Sequence, residues 1–246
     1  DTNLVSIANW NADATHFVTV QTEGEARHNG TANCSTCYKI DPTSSDKIIT
    51  VTTNTHYTVI DGIIITGLEN DYDVAMHIRG DQTRIKNTII YDLHPTLNST
   101  AISHYASESV MWLENVLIYG TISAGISTYN NAAAPVLTDH IYNTVVDINH
   151  PGTARPYTLQ GSGANDFSGS TVDIRNSYFR SSASSIRETS LSGSPDYSSS
   201  TNVITNDDTA QTVLGLDGSN SSINVLLTDS TPVSYTHLRA HETLMN

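Results

Sequence analysis

One short pattern recurs through most of this chain: an aliphatic residue, any residue and an asparagine, followed by aliphatic or β-branched residues. It is clearest at residues 85–90, and the first copy has Asp61 in place of the asparagine. A repeat of this length predicts a solenoid, in which each unit buries its apolar face only by stacking on its neighbours. The successive markers, 26, 28, 28, 33 and 30 residues apart, are Asp61, Asn87, Asn115, Asn143, Asn176 and Asn206.

A second pattern occurs in a different register. In it, a small residue is followed by residues that are expected to face alternately inward and outward. It is Ala75-Met76-His77 in one copy and Ala101-Ile102-Ser103 in the next, with further copies near residues 125, 157 and 185. Alternation of period two indicates strands, and helical periodicity is nearly absent. The sequence therefore predicts an all-β fold, a right-handed single-stranded parallel β-helix of about eight coils.

The recurring asparagine has a physical role at a corner between strands. Asparagine tolerates the left-handed backbone conformation that a sharp corner requires, and its amide can bond to its copies in neighbouring coils. We therefore expect Asn87, Asn115 and Asn143 to stack at one corner, with their amides turned inward.

The repeat also divides the chain. Residues 1–46 fit it poorly and are interpreted as irregular N-terminal coils, residues 47–206 as regular coils and residues 207–233 as a weak terminal coil. Residues 234–246 differ from the rest and resemble the translation of a sequencing adapter, so we interpret them as a non-native tail.

The charge and the cysteine content indicate which classes of partner and which cellular location to expect. The formal net charge is −14, and the 11 Lys and Arg residues form no basic run, which disfavours nucleic acid and anionic membranes as partners. No apolar stretch is long enough to span a bilayer. Cys34 and Cys37 lie in a polar loop without a helix or a second cysteine pair, which favours a surface disulfide over a redox motif or a zinc site. A disulfide is typical of secreted proteins, so we expect an extracellular or cell-surface location.

Over roughly residues 17–227 the pattern resembles right-handed parallel β-helix proteins of the pectate-lyase-like superfamily. Residues 10–31 also resemble β-helix surface proteins from environmental sequence data. The first resemblance implies that a polysaccharide would lie along the outward face of the strands that carry the second pattern. The second resemblance implies a surface protein and no particular chemistry.

Two outward rows on that face carry candidate binding side chains. Aromatic rings flanked by hydrogen-bonding groups are suited to carbohydrate, so we predict a flat sugar platform there. The alternative is that the two tyrosines only stabilise neighbouring strands by stacking. The candidates are His77, Arg79, Tyr105, Tyr129, Gln160 and Arg187.

Catalysis has less support in these rows. A glycoside hydrolase needs two clustered carboxylates, and a lyase needs carboxylates for calcium and a basic residue that abstracts a proton. The outward rows contain neither set, and Asp71, Asp73 and Asp81 at their edges are a weak calcium candidate. The first hypothesis is a non-catalytic extracellular surface protein, adhesin-like and glycan-binding or self-assembling. The alternative is a polysaccharide lyase or hydrolase that acts beside Tyr105 and Tyr129.

Two adjacent apolar positions follow each asparagine, although adjacent strand residues face opposite sides. We assign one set to the interior: Ile64, Ile90, Ile118, Val146 and Phe179. The other set then forms an outer apolar ladder: Ile63, Ile89, Leu117, Val145 and Tyr178. Such a ladder usually marks a contact surface, so we expect either the loops after Asp92 and Asp147 or a second copy of the chain to cover it.

Overall fold

The computed structural model describes residues 4–10, 12–42, 47–67, 73–94, 98–105, 108–130, 136–151, 154–182, 185–207 and 209–214. Apart from a 3-10 turn at Gly24–Ala26 and one short helix, α1 (Thr209–Thr212), the regular elements described are strands. In chain order they are β1 (Val5–Ile7), β2 (Val18–Gln21), β3 (Lys39–Ile40), β4 (Lys47–Val51), β5 (Thr58–Asp61), β6 (Ile64–Thr66), β7 (Asp73–Ile78), β8 (Thr83–Tyr91), β9 (Ser99–Tyr105), β10 (Glu108–Gly120), β11 (Ala124–Asn130), β12 (Val136–Tyr142), β13 (Val145–Ile148), β14 (Arg155–Asp166), β15 (Thr171–Arg180), β16 (Ile186–Gly193) and β17 (Thr201–Thr205).

The strands form two parallel sheets that the chain visits in turn, which is a β-solenoid. One sheet has seven strands in the order β1-β4-β7-β9-β11-β14-β16, and the other has ten, with β2 at its N-terminal edge. The predicted all-β parallel solenoid is confirmed. The seven-stranded sheet gives seven rungs in the described part of the chain, fewer than the eight coils expected. No helix among the described residues is long and apolar enough to cross a membrane.

The inward rows of the seven-stranded sheet are those expected from the alternation. Met76, Ile102 and Ile126 pair in register across neighbouring strands and are fully buried. Opposite them lie Ile85, Leu113 and other side chains of the ten-stranded sheet, in one continuous apolar core. Because each coil is closed only by its neighbours, this core runs the length of the solenoid.

At the corner that carries the repeated asparagine, the coils from β5 onwards each bend at one residue with left-handed backbone conformation. In the first copy this residue is Gly62, with φ of 79°, because Asp61 pairs with Lys86 and not with Asn87. In the last copy it is Asn202 and not Asn206, since Arg175 pairs with Thr201 and Ser177 with Val203. Asparagines with φ between 47° and 57° occupy the corner in the other coils: Asn87, Asn115, Asn143, Asn176 and Asn202.

The asparagine amides bond along the solenoid axis. Asn115 Nδ2 donates to Asn87 Oδ1 at 3.3 Å, and Asn87 Nδ2 donates to Asp61 Oδ1 at 2.9 Å. The same bond runs from Asn176 to Asn143 at 3.3 Å and from Asn202 to Asn176 at 2.9 Å. The expected stack is therefore present, but its amides lie at the partly exposed corner and do not turn inward. The left-handed residue turns the chain so that the following side chain enters the core, as the buried side chains Thr88, Val116 and Thr144 show.

This corner also corrects one assignment in the apolar ladder. Ile63, the equivalent of Thr88, is part of the main core, whereas Ile64 pairs with Ile89 and Ile65 with Ile90. Ile64 therefore belongs to the outer set and Ile65 to the interior. The other inward assignments are correct: Ile90, Ile118, Val146 and Phe179 are fully buried. We use the name outer ladder for the register-paired set Ile64, Ile89, Leu117, Val145 and Tyr178.

The chain itself covers the first half of the outer ladder. Residues 22–40, which we call the N-terminal strap, cross it, and Ala32 and Cys37 pack against Ile64, Ile89 and Leu117. Cys37 is held by a disulfide to Cys34, with 5.3 Å between the Cα atoms. An N-terminal segment thus removes this part of the ladder from solvent, and it is neither of the two covers that we expected, the loops after Asp92 and Asp147 or a second copy of the chain. Val145 and Tyr178 remain partly exposed.

Polar contacts hold the N-terminal strap on the corner. Thr22 Oγ1 donates to the carbonyl of Gly62 at 2.6 Å, and Arg27 forms an ion pair with Asp61 at 2.5 Å. A Cβ atom on Gly62 would lie 2.5 Å from Thr22 Oγ1, so both the positive φ and the close approach require glycine. Burial opposes ionisation of Asp61, but hydrogen bonds from Asn87 and Arg27 outweigh it and lower the pKa of this carboxyl group.

The corner gives a stability prediction. Asn115→Leu should lower the free energy of unfolding by roughly 1–3 kcal/mol, because leucine is strained at positive φ and breaks the amide ladder. Asn115→Gly should cost less, about 1 kcal/mol, since glycine keeps the conformation and loses only the amide. Urea unfolding of the two variants measures both values. Equal losses would show that backbone conformation is not what the asparagine provides.

Candidate functional site

The six candidate binding residues lie on the outer face of the seven-stranded sheet. His77 is in register with Ser103, Ser127, Thr158 and Arg187 through four successive pairings. In a parallel row two positions along, Tyr105 pairs with Tyr129 and Tyr129 with Gln160. We use the name tyrosine face for His77, Arg79, Tyr105, Tyr129, Gln160 and Arg187.

The rings on the tyrosine face stack on one another along the axis. The ring centroids of Tyr105 and Tyr129 are 5.0 Å apart with an interplanar angle of 18°. His77 approaches Tyr105 at 5.9 Å, and the Arg79 guanidinium carbon lies 5.2 Å from the Tyr105 centroid. Each ring therefore has at least one face in contact with a side chain of a neighbouring coil.

This stacking changes the chemistry expected of the surface. A flat sugar platform needs free ring faces, whereas stacked rings direct their edges and hydroxyl groups to solvent. The surface is better described as two lines of hydrogen-bonding groups at strand spacing. Arg79 and Gln160 are exposed, and the two tyrosines and Arg187 are partly exposed. Among the described residues of these two rows none is a carboxylate, so a pair of acidic groups for glycoside hydrolysis does not lie there.

The calcium candidates do not converge in the described part of the chain. Asp73 begins β7 and is buried, and Asp81 follows the same strand at its other end. Asp81 Oδ1 accepts a hydrogen bond from the backbone N–H of Val110 at 3.0 Å, which joins neighbouring coils. Asp71 lies outside the described residues. The described residues contain no group of three or more His, Cys, Asp or Glu side chains that could hold a metal ion.

The interior contains a polar arrangement that the sequence analysis missed. His104 Nδ1 donates to Asp139 Oδ1 at 2.6 Å, and His104 Nε2 lies 2.5 Å from Ser109 Oγ. The second oxygen of Asp139 accepts from the hydroxyl groups of Thr128 at 2.5 Å and Tyr157 at 2.9 Å. The bonding order of Ser, His and Asp is that of a catalytic triad.

Burial decides against catalysis by this group. His104, Asp139 and Tyr157 are fully buried and Ser109 nearly so, which leaves no room for a substrate at the serine. Burial penalises the charged form of Asp139, but the charge of His104 and the three hydrogen bonds outweigh it and lower the pKa of the carboxyl group. Because the five residues come from both sheets, the network joins the two walls of the solenoid.

A second stacked row lies on the outer face of the ten-stranded sheet. Arg84 lies over Trp112, with 4.9 Å from its guanidinium carbon to the ring centroid, and Trp112 stacks on His140 at 5.3 Å. Asp173, the next residue in this row, accepts two hydrogen bonds from Arg175 at 2.8 Å each. The charged groups at this end of the row therefore pair with each other, which points to a structural role.

Both missed groups had signals in the sequence. Arg84, Trp112, His140 and Asp173 each precede the corner asparagine of their coil by three residues. His104 lies two positions after the inward Ile102, and this parity places it inside. Composition concealed the interior group, because a histidine or an aspartate inside a narrow core contradicts the usual division of polar and apolar residues.

The interior network gives the second prediction. Asp139→Asn should lower the free energy of unfolding at pH 7 by about 1–3 kcal/mol, since an amide cannot accept all the hydrogen bonds that His104, Thr128 and Tyr157 make to the buried carboxylate. Asp147→Asn is the matched control: its partner Arg180, at 2.6 Å, is partly exposed, and the cost should be about 0–1 kcal/mol.

The pH dependence of stability, compared between wild type and Asp139→Asn, tests the role of the same carboxyl group. The folded-state pKa of Asp139 is below its unfolded value of about 3.9, so its contribution is present above that value and is lost as the pH falls through the folded pKa. Lowering the pH from 7 to 3 should therefore reduce the free energy of unfolding more for wild type than for Asp139→Asn. Urea unfolding at each pH measures this free energy. Equal weakening of the two proteins would contradict the role assigned to Asp139.

Comparison with protein-family models, with curated proteins and with solved structures finds no match for this chain. The functional conclusion therefore depends on the geometry and chemistry of its own residues.

Proposed function

We propose that this protein is an extracellular, non-catalytic β-solenoid that binds polysaccharide along the tyrosine face. The observation that carries the proposal is the in-register row of Tyr105, Tyr129 and Gln160, with Arg79 stacked on its first ring. A linear polysaccharide presents hydroxyl groups at regular intervals, and this row presents hydroxyl, amide and guanidinium groups at the regular spacing of strands, about 4.8 Å.

The weakness of each contact defines the kind of ligand. A single hydrogen bond contributes about 0.5–1.5 kcal/mol net, so useful affinity requires contacts on several coils at once. The tyrosine face therefore suits a long glycan that runs parallel to the solenoid axis, and affinity should increase with chain length. Monosaccharides should bind too weakly to measure.

Charge on the tyrosine face favours an acidic glycan. The whole chain has a formal net charge of −14, yet Arg79 and Arg187 lie on this face and its two described rows contain no carboxylate. Planar guanidinium groups bind carboxylates with two parallel hydrogen bonds. We expect a uronic-acid polymer to bind more tightly than a neutral polymer of the same length.

The enzymatic alternative places a lyase or hydrolase reaction beside the same tyrosines, as the resemblance to pectate-lyase-like proteins implies. It would require an acid and a base close to the bound sugar. The absence of carboxylates from the described rows favours binding without reaction. A reducing-sugar assay and an assay for unsaturated products, run on every glycan that binds, distinguish the two functions.

The third prediction tests which part of the tyrosines is recognised. Tyr105→Phe combined with Tyr129→Phe keeps both rings and their stacking but removes the hydroxyl groups. If ring edges and hydroxyl groups face the glycan, this variant should lose most of its retention on polysaccharide affinity gels. The loss should be nearly as large as in a double alanine variant, which combines Tyr105→Ala with Tyr129→Ala. Retention equal to wild type would support a ring-face platform instead.

The controls for this experiment are an aromatic residue elsewhere and a stability measurement. Trp112→Ala removes a stacked ring from the ten-stranded sheet and should leave glycan retention unchanged. Thermal unfolding of each variant measures whether the solenoid remains folded. Unchanged retention by the double alanine variant would return Tyr105 and Tyr129 to a purely structural role and reject the proposal.

A further inference from the structure

The N-terminal strap contains a loop that is closed at its own base. The backbone N–H of Tyr38 donates to the carbonyl of Ala26 at 2.8 Å, so the two ends of the segment 26–38 meet. A disulfide between Cys34 and Cys37 constrains the far part of this segment. We use the name strap loop for residues 26–38. A compact surface loop with joined ends can open as one unit while the strands on either side keep their pairing.

An apolar contact, an ion pair and a histidine attach the strap loop to the coils. Ala32 packs on the outer ladder, and Arg27 pairs with Asp61. His28 lies at the corner of the next coil, where its Nε2 atom is 2.5 Å from the carbonyl oxygen of Asn87. Of these side chains, His28 is the one whose ordinary pKa lies near neutral pH.

The two hydrogen bonds of His28 require a neutral ring. A carbonyl oxygen only accepts, so Nε2 carries the proton and donates to Asn87. The backbone N–H of Gly30 only donates, and its nitrogen lies 3.1 Å from Nδ1, so Nδ1 is the unprotonated acceptor. A second proton on the ring would occupy Nδ1 and would place two donors against each other. Protonation therefore breaks the bond from Gly30, which is a buried residue.

The surroundings of His28 also oppose the charged ring. Burial lowers the pKa of His28, the Asn87 carbonyl raises it, the charge of Arg27 lowers it and the charge of Asp61 raises it, with a net lowering. Lys86 of β8 lies 3.4 Å from the second oxygen of Asp61, so two cations already balance this carboxylate. The charged groups that act on the ring are thus Arg27 of the strap loop, Asp61 of β5 and, through Asp61, Lys86.

From these observations we infer that the strap loop is an acid-sensitive latch. Protonation of His28 releases it and exposes Ile64, Ile89 and Leu117, the part of the outer ladder that the N-terminal strap covers. These three residues belong to β6, β8 and β10 of the ten-stranded sheet, whereas the tyrosine face lies on the seven-stranded sheet. The latch is therefore independent of glycan binding.

The difference in proton affinity between the two forms gives the pH range. In the open form the ring is solvated and titrates near the ordinary pKa of about 6.5, which is above its pKa in the closed form. The open form therefore binds the proton more tightly, and each pH unit below about 6.5 favours opening by up to tenfold until the closed-form pKa is reached. The pKa of Asp61 is lowered, so its carboxylate stays ionised over this range and His28 is the attachment that changes.

The first experiment follows the latch in wild type. Hydrogen exchange is measured by mass spectrometry between pH 7.5 and pH 4.5 and corrected for the intrinsic pH dependence of exchange. Protection of peptides from the strap loop should fall about tenfold between pH 6.5 and pH 4.5, whereas peptides from β11 should keep theirs. Constant protection of the strap loop, or an equal fall in β11, would overturn the inference.

The second experiment tests whether His28 is the group responsible. His28→Gln keeps an N–H donor for Asn87 and cannot gain a charge, so protection of its strap loop should not change between pH 6.5 and pH 4.5. His56→Gln is the matched control, because it removes an exposed histidine outside the strap, and it should behave as wild type. A His28→Gln protein that keeps the pH dependence of wild type would contradict the assignment to His28.

Two further measurements complete the test. A dye that fluoresces on exposed apolar surface should bind wild type and His56→Gln more strongly at pH 4.5 than at pH 7, and His28→Gln equally at both. The NMR titration of the His28 ring in wild type needs no variant and should give a midpoint below about 6.5. A midpoint at or above that value would overturn the inference, because the closed loop would then hold the charged ring as readily as the open one.

Discussion

The left-handed residue at each corner is the constraint on which this solenoid depends. It fixes the point at which a strand bends, and it therefore decides which following residues face the core. In five coils the residue is asparagine, and its amide bonds to the coil beside it, as from Asn115 to Asn87. One side chain thus provides both the bend within a coil and the register between coils. A slip of one residue would place Thr88 outside and Ile89 inside, and every later pair would be exchanged.

The sequence predicts most of this architecture because local geometry and stacking require the same residue at the same place. It fails at the two ends of the repeat for a physical reason. Glycine adopts positive φ as readily as asparagine, so Gly62 takes the corner, and Asp61 contributes the acceptor to the ladder from the position before it. A search for asparagine, with aspartate allowed in its place, therefore identifies Asp61 and not Gly62 as the corner of the first copy. In the last coil it identifies Asn206, although Asn202 has the left-handed conformation.

The candidate site was predictable in position but not in chemistry. Strand parity places Tyr105 and Tyr129 outside and His104 inside. Parity does not describe the contacts between neighbouring coils. Every side chain in a row lies about 4.8 Å from the equivalent side chain of the next coil. At that spacing aromatic rings stack and cover each other's faces, and buried polar groups find partners in the next coil. Ring edges at the surface and the His104–Asp139 pair in the core follow from the same repeat, but they become visible only when the coils are stacked.

The two outer surfaces of the rod keep their side chains out of water in different ways. Adjacent residues of a strand face opposite sides, so the outer ladder cannot enter the core, and the N-terminal strap covers its first three members, Ile64, Ile89 and Leu117. The tyrosine face needs no such segment, because Tyr105 and Tyr129 cover each other's ring faces by stacking along the axis. Both rings remain partly exposed. Stacking therefore stabilises neighbouring coils and still leaves hydroxyl groups for a ligand, so a structural role of these rings and the proposed binding role do not exclude each other.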